Sequence, residues 1–271
     1  MDDLLSKKQE SLSELTLIAI EAALQAGTLL REGFGTHFSV RSKEGVHNLV
    51  TEYDHRSEKM VIDFLRGQTP DAHFLAEESG LSEGKDGALT WIIDPLDGTV
   101  NFAHKIPMFS VSIAAERDGE VICGVVYHPL VHELFVAEKG KGAFLNGEKL
   151  SVSKISQFSE AFLATGFPYN LVDNPGQCID HFVDVLRTGI PIRRLGAATL
   201  DLAYIAAGRI DGYFEVSLAP WDCAAGNLLV KEAGGMVSTW DGKAFDLRAY
   251  GPILASNGLI HQKCISILGD G

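Results

Sequence analysis

The segment at residues 91–99 is Trp91-Ile92-Ile93-Asp94-Pro95-Leu96-Asp97-Gly98-Thr99. An apolar run ends at Asp94, and Pro95 lacks the backbone N–H that the next position of a sheet would need. We therefore expect the Asp94 carboxylate to lie where a strand leaves its sheet. Asp97 follows closely, so that two carboxylates and the Leu96 carbonyl can face the same space as hard oxygen ligands. The segment predicts a site for divalent cations.

Gly98 and Thr99 extend this prediction to a bound anion. Gly98 lets the backbone approach a ligand closely. Thr99 stands at the expected start of a helix, where free N–H groups attract phosphate. An ordinary turn is the alternative interpretation, because Asp, Pro and Gly are all common turn residues. The segment taken alone leaves both interpretations open.

Two helices are predicted before this segment. Ser11 and Glu14 form a capping box in front of a long stretch with helical spacing of its apolar residues. A second helix begins near Asp54, which is a suitable capping residue. The stretch between the two helices predicts a pair of short strands with a mobile tip.

The remainder of the chain changes character near residue 150. From Phe74 onward, short apolar runs at 89–93, 108–115, 121–127 and 133–137 predict an antiparallel meander. Asp118-Gly119 and Asn146-Gly147 are strong hairpin signals within and after it. Beyond residue 150 strand-like and helical segments alternate, which predicts a mixed sheet with helices. The expected fold class is α+β or α/β.

The domain organisation follows from this change. We expect an N-terminal α+β half at 1–150, which carries most of the candidate metal ligands, and a C-terminal α/β half at 151–271 that contributes Asp222. No repeat or Pro-rich linker separates the halves in the sequence. They are therefore expected to form one compact unit with the site in the cleft between them.

The composition bounds the class of function. The chain has 271 residues, a formal net charge of -13 and 46% hydrophobic residues. This charge disfavours direct nucleic-acid binding and anionic membranes. An acidic protein that binds phosphate esters must neutralise the anion locally, for which bound divalent cations are the usual means. The four cysteines show no paired spacing, and no signal peptide or membrane span is recognisable, so the expected location is the cytoplasm.

Three separated motifs give the chain a family resemblance. They are Ala76-Glu77-Glu78-Ser79-Gly80, the segment from Trp91 through Asn101-Phe102, and Pro220-Trp221-Asp222-Cys223-Ala224-Ala225-Gly226. In this order they resemble the inositol monophosphatases, and the resemblance covers nearly the whole chain. It implies a layered αβαβα fold of the sugar-phosphatase type. It also implies a magnesium-dependent, lithium-sensitive phosphomonoesterase that forms a homodimer.

The resemblance assigns metal ligands residue by residue. It implies that Glu77, Asp94 and the Leu96 carbonyl hold one Mg²⁺, while Asp94, Asp97 and Asp222 hold a second. Glu77 also contacts a weaker third ion in this assignment. Two hard cations that bridge one phosphate can activate water on one side and stabilise the leaving oxygen on the other. The alternatives are a solvated acidic pair for Glu77 and a helix cap for Asp222.

Three further residues match catalytic positions of the family. Thr99, hydrogen-bonded to Asp54, is implied to orient the attacking water, although a plain helix cap explains Asp54 equally well. Lys43 matches the lysine of a mobile loop that closes over the site and contacts water at the metals. An exposed lysine in a charged loop needs no function, which is the alternative for Lys43.

Substrate contacts are implied on two sides of the site. On the phosphate side they are Asp97, Gly98 and Thr99. In the second half, Glu215 matches a glutamate that accepts hydrogen bonds from inositol hydroxyls, and Gly196-Ala197-Ala198 matches the backbone that lines the same pocket. Thr165-Gly166-Phe167-Pro168 resembles another wall. Close helix packing is the alternative for the small residues of this set.

The expected reaction is in-line hydrolysis of a small phosphorylated polyol without a covalent enzyme intermediate, and myo-inositol 1-phosphate is the default substrate. Fructose 1,6-bisphosphate, histidinol phosphate and 3'-phosphoadenosine nucleotides are the alternatives. Some bacterial relatives also act as RNA polymerase-associated factors, so a regulatory role is a second hypothesis. A metal- or phosphate-sensing module is a third.

Overall fold

The structure is a computed structural model that describes residues 12–43 and 47–269. The α-helices of these residues are α1 (Glu14–Gly33), α2 (Glu52–Gln68), α3 (Thr99–Ala103), α4 (Cys178–Arg187), α5 (Ala198–Ala206), α6 (Pro220–Glu232) and α7 (His261–Leu268). The strands are β1 (Val40–Ser42), β2 (Leu49–Thr51), β3 (His73–Ala76), β4 (Gly80–Ser82), β5 (Thr90–Asp97), β6 (Ser110–Arg117), β7 (Glu120–His128), β8 (Glu133–Glu138), β9 (Gly142–Leu145), β10 (Glu148–Lys149), β11 (Leu163–Thr165), β12 (Ile192–Arg193), β13 (Gly212–Glu215), β14 (Met236–Ser238) and β15 (Ile253–Ser256).

The two N-terminal helices form where the pattern predicts them. Ser11 lies outside the described residues, and the cap of α1 is Ser13, whose side-chain oxygen accepts the N–H of Thr16 at 3.4 Å. The cap of α2 is Thr51, and Asp54 is the third helical residue of the capping box, not the cap itself. Between the two helices, β1 and β2 form the predicted antiparallel pair.

The first sheet has eight strands in the order β10-β9-β8-β7-β6-β5-β3-β4. From β5 to β10 every neighbour is antiparallel and consecutive, as the meander prediction requires. The turn dipeptides Asp118-Gly119 and Asn146-Gly147 have positive φ at all four residues, which matches the twist of a tight hairpin. The exception to the meander is β3, which pairs with β5 in parallel. The carboxyl ends of β3 and β5 therefore lie side by side.

Strand β5 continues through Pro95, contrary to our expectation that the strand ends at Asp94. Asp94 pairs with Ser112 and Asp97 with Ser110, so three steps on β5 face two on β6. This bulge accommodates Pro95, because a bulged position needs no ladder N–H. Asp94 and Asp97 consequently lie on either side of a local kink.

Five layers build the core. Helices α1 and α2 pack on one face of the first sheet, where Trp91 and Ile93 point. Helices α5 and α6 cover the opposite face, to which Ile92 contributes, and they also contact the second sheet. Helices α4 and α7 pack on the far side of that sheet. The layered αβαβα order is thereby confirmed.

The second sheet has five strands in the order β12-β11-β13-β15-β14. Strand β11 is parallel to β12 and β13, whereas β15 is antiparallel to β13 and β14. This is the mixed sheet with helices that the second half predicts. The close approach of α6 to the first sheet depends on Gly124, since a Cβ atom there would lie 2.8 Å from the Cα of Ala225.

Two further features concern the helices and the cysteines. None of the helices in the described part of the chain combines the length and apolar character needed to cross a lipid bilayer. Cys123, Cys178, Cys223 and Cys264 are all buried and free of disulfides.

Candidate active site

Four carboxylates from three segments of the chain come together at the carboxyl end of β5. They belong to Glu77, Asp94, Asp97 and Asp222. Glu77 follows β3 directly, and its N–H donates to the carbonyl of Ile93 at 3.2 Å. The parallel pairing of β3 with β5 thus places Glu77 beside Asp94.

Asp222 reaches the same place from the other half of the chain. Ser112, the sheet partner of Asp94, donates its hydroxyl to the carbonyl of Trp221 at 3.4 Å. The Asp222 carboxylate also accepts the N–H of Ala219 at 2.8 Å, so it stabilises the start of α6. The helix-end role considered for Asp222 and its place among the acids therefore occur together.

The four acids are electrostatically crowded. Burial, followed by repulsion from Glu77, Asp97 and Asp222, raises the pKa of Asp94 well above its ordinary value. Burial, then Glu77 and Asp97, raises the pKa of Asp222 in the same way. Burial raises the pKa of Glu77 to about 7 and that of Asp97 to about 6, although each accepts hydrogen bonds. The cluster is short of positive charge.

Lys43 supplies part of that charge. Its Nζ lies 2.8 Å from Glu77 Oε1 and 2.5 Å from Glu78 Oε1. Burial would lower the pKa of Lys43, but attraction and hydrogen bonds from both glutamates outweigh it and raise the pKa. The structure therefore places Lys43 at the acid cluster, while Glu44 and Gly45, its neighbours in the predicted mobile loop, lie outside the described residues.

The donor set fits hard divalent cations by its chemistry. In the described ranges, no three Asp, Glu, His or Cys side chains are arranged as a finished set of metal ligands, and Lys43 holds one oxygen of Glu77. The donors at the cluster are carboxylate oxygens, which Mg²⁺ prefers. Mutual repulsion of buried carboxylates is relieved by bound positive charge. The residues present therefore suit Mg²⁺.

A second network connects Thr99 to α2. Thr99 Oγ1 lies 2.8 Å from Asp54 Oδ1, to which it donates, and 3.0 Å from the Leu96 carbonyl oxygen. The other oxygen of Asp54 accepts from the N–H and the hydroxyl of Thr51, at 2.7 and 2.6 Å. Burial raises the pKa of Asp54 despite these hydrogen bonds. Both alternatives for Asp54, helix capping and contact with Thr99, are present in the structure.

Gly98 occupies a position that requires glycine. Its φ is +89°, and a Cβ atom there would lie 2.8 Å from the carbonyl oxygen of Met108. Such a left-handed conformation is readily accessible only to glycine. Gly98 thus turns the chain sharply from the bulge of β5 into α3.

Asp97 accepts hydrogen bonds from α5, a helix in the second half of the chain. Its Oδ2 accepts the backbone N–H of Thr199 at 2.8 Å and the Thr199 hydroxyl at 2.6 Å. Gly196 lies nearby, because the side-chain amide of Asn101 donates to the carbonyls of Leu195 and Gly196, at 2.9 and 3.3 Å. The predicted pocket segment 196–198 therefore lies beside the turn at Gly98, with Ala198 as the first residue of α5.

Glu215 lies in the same region at the end of β13 and is buried. The hydroxyl of Tyr213 donates to Glu215 Oε2. Burial raises the pKa of Glu215 to about 7, and repulsion from Asp97 adds to this rise. A Cβ atom on Gly166 would lie 2.1 Å from Glu215 Oε2, so the predicted wall at 165–168 packs directly on Glu215. Thr165 itself turns inward, since its hydroxyl donates to the Phe214 carbonyl at 2.7 Å.

Sequence reasoning missed three side chains near the cluster. Thr199 and Asn101 make the contacts described above, and Tyr169 follows the predicted wall. Although 57% of Tyr169 is exposed, partial desolvation of its hydroxyl, followed by repulsion from Glu77 and other acids of the cluster, raises its pKa to about 12. The position of Tyr169 directly after Pro168 was the available signal, whereas a threonine inside a helix gives none.

Comparison with known proteins places this geometry in a family. A sequence model described as the Inositol monophosphatase family matches residues 11–270. An inositol-1-monophosphatase of Caulobacter vibrioides is 44% identical over 253 residues, which cover 92% of this chain and 98% of that protein. The Nus factor SuhB of Escherichia coli strain K12 is 41% identical over 254 residues, covering 93% of this chain and 95% of that one.

A solved structure agrees with these matches. The crystal structure of extragenic suppressor protein suhB from Bartonella henselae superposes with a TM-score of 0.90 at 39% identity, covering 96% of this chain and 100% of that chain. The family is metal-dependent, which agrees with the crowded carboxylates at the end of β5. The chain belongs to the inositol monophosphatase family and is a phosphoric monoester hydrolase.

Proposed function

We propose that this protein hydrolyses a small phosphorylated polyol, with myo-inositol 1-phosphate as the substrate and two to three Mg²⁺ ions per site. The observation that carries the proposal is the cluster of four carboxylates, of which Asp94 is buried and the other three are partly buried. Desolvation raises the pKa of all four, and repulsion within the cluster adds to the rise at Asp94 and Asp222. A protein gains nothing in stability from such crowding. The arrangement is therefore best explained by ligands that bring positive charge.

The chain offers ligands for two cations. Glu77, Asp94 and the Leu96 carbonyl would hold one, and Asp94, Asp97 and Asp222 would hold the other, with Glu77 available to a third. Bound Mg²⁺ supplies Lewis acidity that makes water a better nucleophile and stabilises the departing oxygen. The shared ligand in this assignment is Asp94, which lies between Glu77 and the bulge that carries Asp97.

The side chains around the cluster orient the reaction. Thr99, held by Asp54 at 2.8 Å, and Glu77 orient the attacking water. The amides of Gly98 and Thr99 hold the phosphoryl group, where preorganised donors stabilise developing charge. Water attacks phosphorus and gives up a proton to solvent, the bond from phosphorus to the ester oxygen breaks, and the departing alkoxide takes a proton from solvent. Lys43 adds positive charge at Glu77.

Substrate selection falls to Glu215 and the segment 196–198. The buried Glu215 carboxylate, which lies near enough to Asp97 to be repelled by it, would accept hydrogen bonds from polyol hydroxyls and disfavour a second phosphate. This favours a monophosphorylated polyol over fructose 1,6-bisphosphate and the phosphoadenosine nucleotides. The assignment is tested by measuring Mg²⁺-dependent phosphate release from four substrates side by side. They are myo-inositol 1-phosphate, fructose 1,6-bisphosphate, histidinol phosphate and a 3'-phosphoadenosine nucleotide. A preference for any substrate other than inositol 1-phosphate would overturn it.

The cation assignment has its own test. Asp94→Asn and Asp222→Asn should each abolish Mg²⁺-dependent phosphate release while the circular dichroism spectrum stays unchanged. Glu138→Gln is the matched control, because Glu138 is a buried carboxylate that accepts hydrogen bonds between α1 and β8. Wild-type turnover in either aspartate variant would disprove the two-cation arrangement.

Family membership leads us to propose two further properties, inhibition by Li⁺ and assembly as a homodimer. Phosphate release in the presence of LiCl tests the first property. Light scattering of the purified chain tests the second, for which a monomer mass would be the contrary result.

The 41% identity to a protein named Nus factor SuhB favours a second candidate function, an RNA polymerase-associated role in ribosomal RNA synthesis. The two functions are separable. A pull-down with transcription components should succeed equally with the wild type and with Asp94→Asn if the regulatory role is independent of hydrolysis. Absence of RNA polymerase from both samples would count against this candidate.

A further inference from the structure

Helix α5 lacks a cap of its own. Its N-cap residue is Ala197, which has no side-chain acceptor, so the first N–H groups of the helix need another partner. Asp97 provides it from 102 positions earlier in the chain, with Oδ2 at 2.8 Å from the N–H of Thr199. The N–H of Ala198 also donates to Asp97. One carboxylate therefore caps α5 and belongs to the acid cluster.

The side chain of Thr199 adds a contact that capping does not require. Its hydroxyl lies 2.6 Å from the same Oδ2 and 2.6 Å from Ser110 Oγ. Because a carboxylate only accepts, Thr199 donates to Asp97 and accepts from Ser110. Ser110 is the sheet partner of Asp97, and both hydroxyl residues are completely buried. The Thr199 hydroxyl thus connects α5 to the neighbouring strands β5 and β6 through hydrogen bonds to Asp97 and Ser110.

This arrangement fixes the orientation of the carboxylate. The Thr199 N–H and hydroxyl both engage Oδ2, so Oδ1 is the oxygen that faces away from these two donors. Partners of this kind orient metal-binding side chains and affect affinity although they do not touch the metal. The Thr199 hydroxyl adds a side-chain donor to the backbone N–H groups of Thr199, Ala198 and Gly98, which also bond to Asp97.

We propose that Thr199 is a positioning residue for Asp97, and that its hydroxyl sets the affinity of the site for the cation that Asp97 and Asp222 would hold. The inference rests on the proposed function, in which Asp97 is a cation ligand. It also connects the two halves of the chain, because Thr199 follows the pocket segment 196–198 directly. The proposed substrate contacts of 196–198 and the orientation of Asp97 would then both depend on the first turn of α5.

The test compares variants that remove the Thr199 hydroxyl with one that keeps it. Thr199→Val removes the donor and keeps the shape, Thr199→Ala removes it without added bulk, and Thr199→Ser keeps it. The matched control is Thr16→Val, since Thr16 is also completely buried and donates to a carboxylate, Glu138 Oε2, at 2.7 Å. Isothermal titration calorimetry with MgCl₂ and no substrate gives the affinity directly. Phosphate release at increasing Mg²⁺ gives a second, independent value.

We expect Thr199→Val and Thr199→Ala to weaken Mg²⁺ binding about tenfold, the lower end of the usual range for such partners. The Mg²⁺ affinity of Thr199→Ser should stay within about twofold of the wild-type value. At saturating Mg²⁺, kcat of all three Thr199 variants should stay within about threefold of the wild-type value. Thr16→Val should lower the unfolding temperature and leave Mg²⁺ affinity unchanged. Unchanged affinity in both hydroxyl-free Thr199 variants would overturn the inference and leave Thr199 a structural cap.

Asp97→Asn separates this inference from the function on which it depends. Lost Mg²⁺ binding in Asp97→Asn together with wild-type affinity in Thr199→Val would refute only the role of Thr199. Wild-type Mg²⁺ binding in Asp97→Asn would refute the proposed ligand set itself.

Discussion

Two regions of this protein bury carboxylates in opposite ways. Glu138, the last residue of β8, accepts the N–H of Ser13 at 2.8 Å and the hydroxyl of Thr16 at 2.7 Å, and it pairs with Lys141 at 2.5 Å. Burial opposes its charge, yet these hydrogen bonds and Lys141 lower the pKa of Glu138 below its ordinary value. At the acid cluster, burial and repulsion raise the pKa of Asp94 and Asp222 instead.

The contrast separates a structural acid from a functional one. A buried charge stabilises a fold only when donors and opposite charges compensate its desolvation. Glu138 is compensated within the protein. The acid cluster is compensated only in part, by Lys43 at Glu77, and the missing compensation is what a divalent cation would supply. Burial by itself therefore says little about function, whereas uncompensated burial at a cleft is informative.

The largest expected effect is on the free energy of unfolding, which a substitution at Asp94 should increase although most substitutions at buried positions decrease it. In EDTA at pH 7.5, Asp94→Asn should stabilise the protein by about 1–2 kcal/mol, because a neutral amide removes the repulsion within the cluster. Glu138→Gln should destabilise it by about 1–3 kcal/mol, because it weakens charge-assisted hydrogen bonds. Urea unfolding of both variants measures the difference. Destabilisation of similar size in both would abolish the distinction between the two regions.

A second effect of the same crowding is the pH dependence of metal-free stability. The pKa of Glu77 rises from 4.5 to about 7 on folding, and the pKa of Asp97 rises from 3.8 to about 6. For a carboxyl group whose pKa is raised in the folded state, the contribution to stability is complete below the unfolded pKa and is lost as pH rises through the folded pKa. In EDTA, the unfolding temperature should therefore decline between about pH 4 and pH 7 through these groups.

Added Mg²⁺ should remove most of that decline, since bound cations favour the charged carboxylates. Glu138 contributes with the opposite sign: its lowered pKa gives stability above its ordinary value of 4.5 that is lost as pH falls. The difference in unfolding temperature between the wild type and Glu138→Gln at low pH measures this contribution of Glu138. A profile in EDTA that rises from pH 5 to pH 7 and is unaffected by Mg²⁺ would contradict the assignment.

The sequence predicted much of this architecture because its signals are local. Apolar periodicity gave the helices and the meander, and the dipeptides Asp118-Gly119 and Asn146-Gly147 gave the hairpins. The acidic motifs, through their family resemblance, gave the residues that the structure brings together. Non-local pairing was out of reach. The parallel pairing of β3 with β5, which sets Glu77 beside Asp94, depends on backbone registration that no short pattern encodes.

The same limit explains the errors. Pro95 was expected to end its strand, but the bulge against β6 absorbs it, and a bulge depends on the partner strand. Thr199 could not be singled out, because its importance comes from Asp97 on a distant strand. Residues that act through long-range hydrogen bonds have ordinary sequence surroundings. Such residues are found only after the chain is folded.

The smallest predicted effect lies in the Glu138 region. Ser13 caps α1 and contacts Thr16 at 3.0 Å, so Ser13→Ala removes a cap and loosens one donor of Glu138. We expect a loss of about 1 kcal/mol in the free energy of unfolding, the typical value for a capping residue. Mg²⁺ affinity and phosphate release should remain at wild-type values, because this network ends at Glu138. A change in Mg²⁺ affinity in Ser13→Ala would show that the two carboxylate regions are energetically coupled, and their comparison as independent sites would fail.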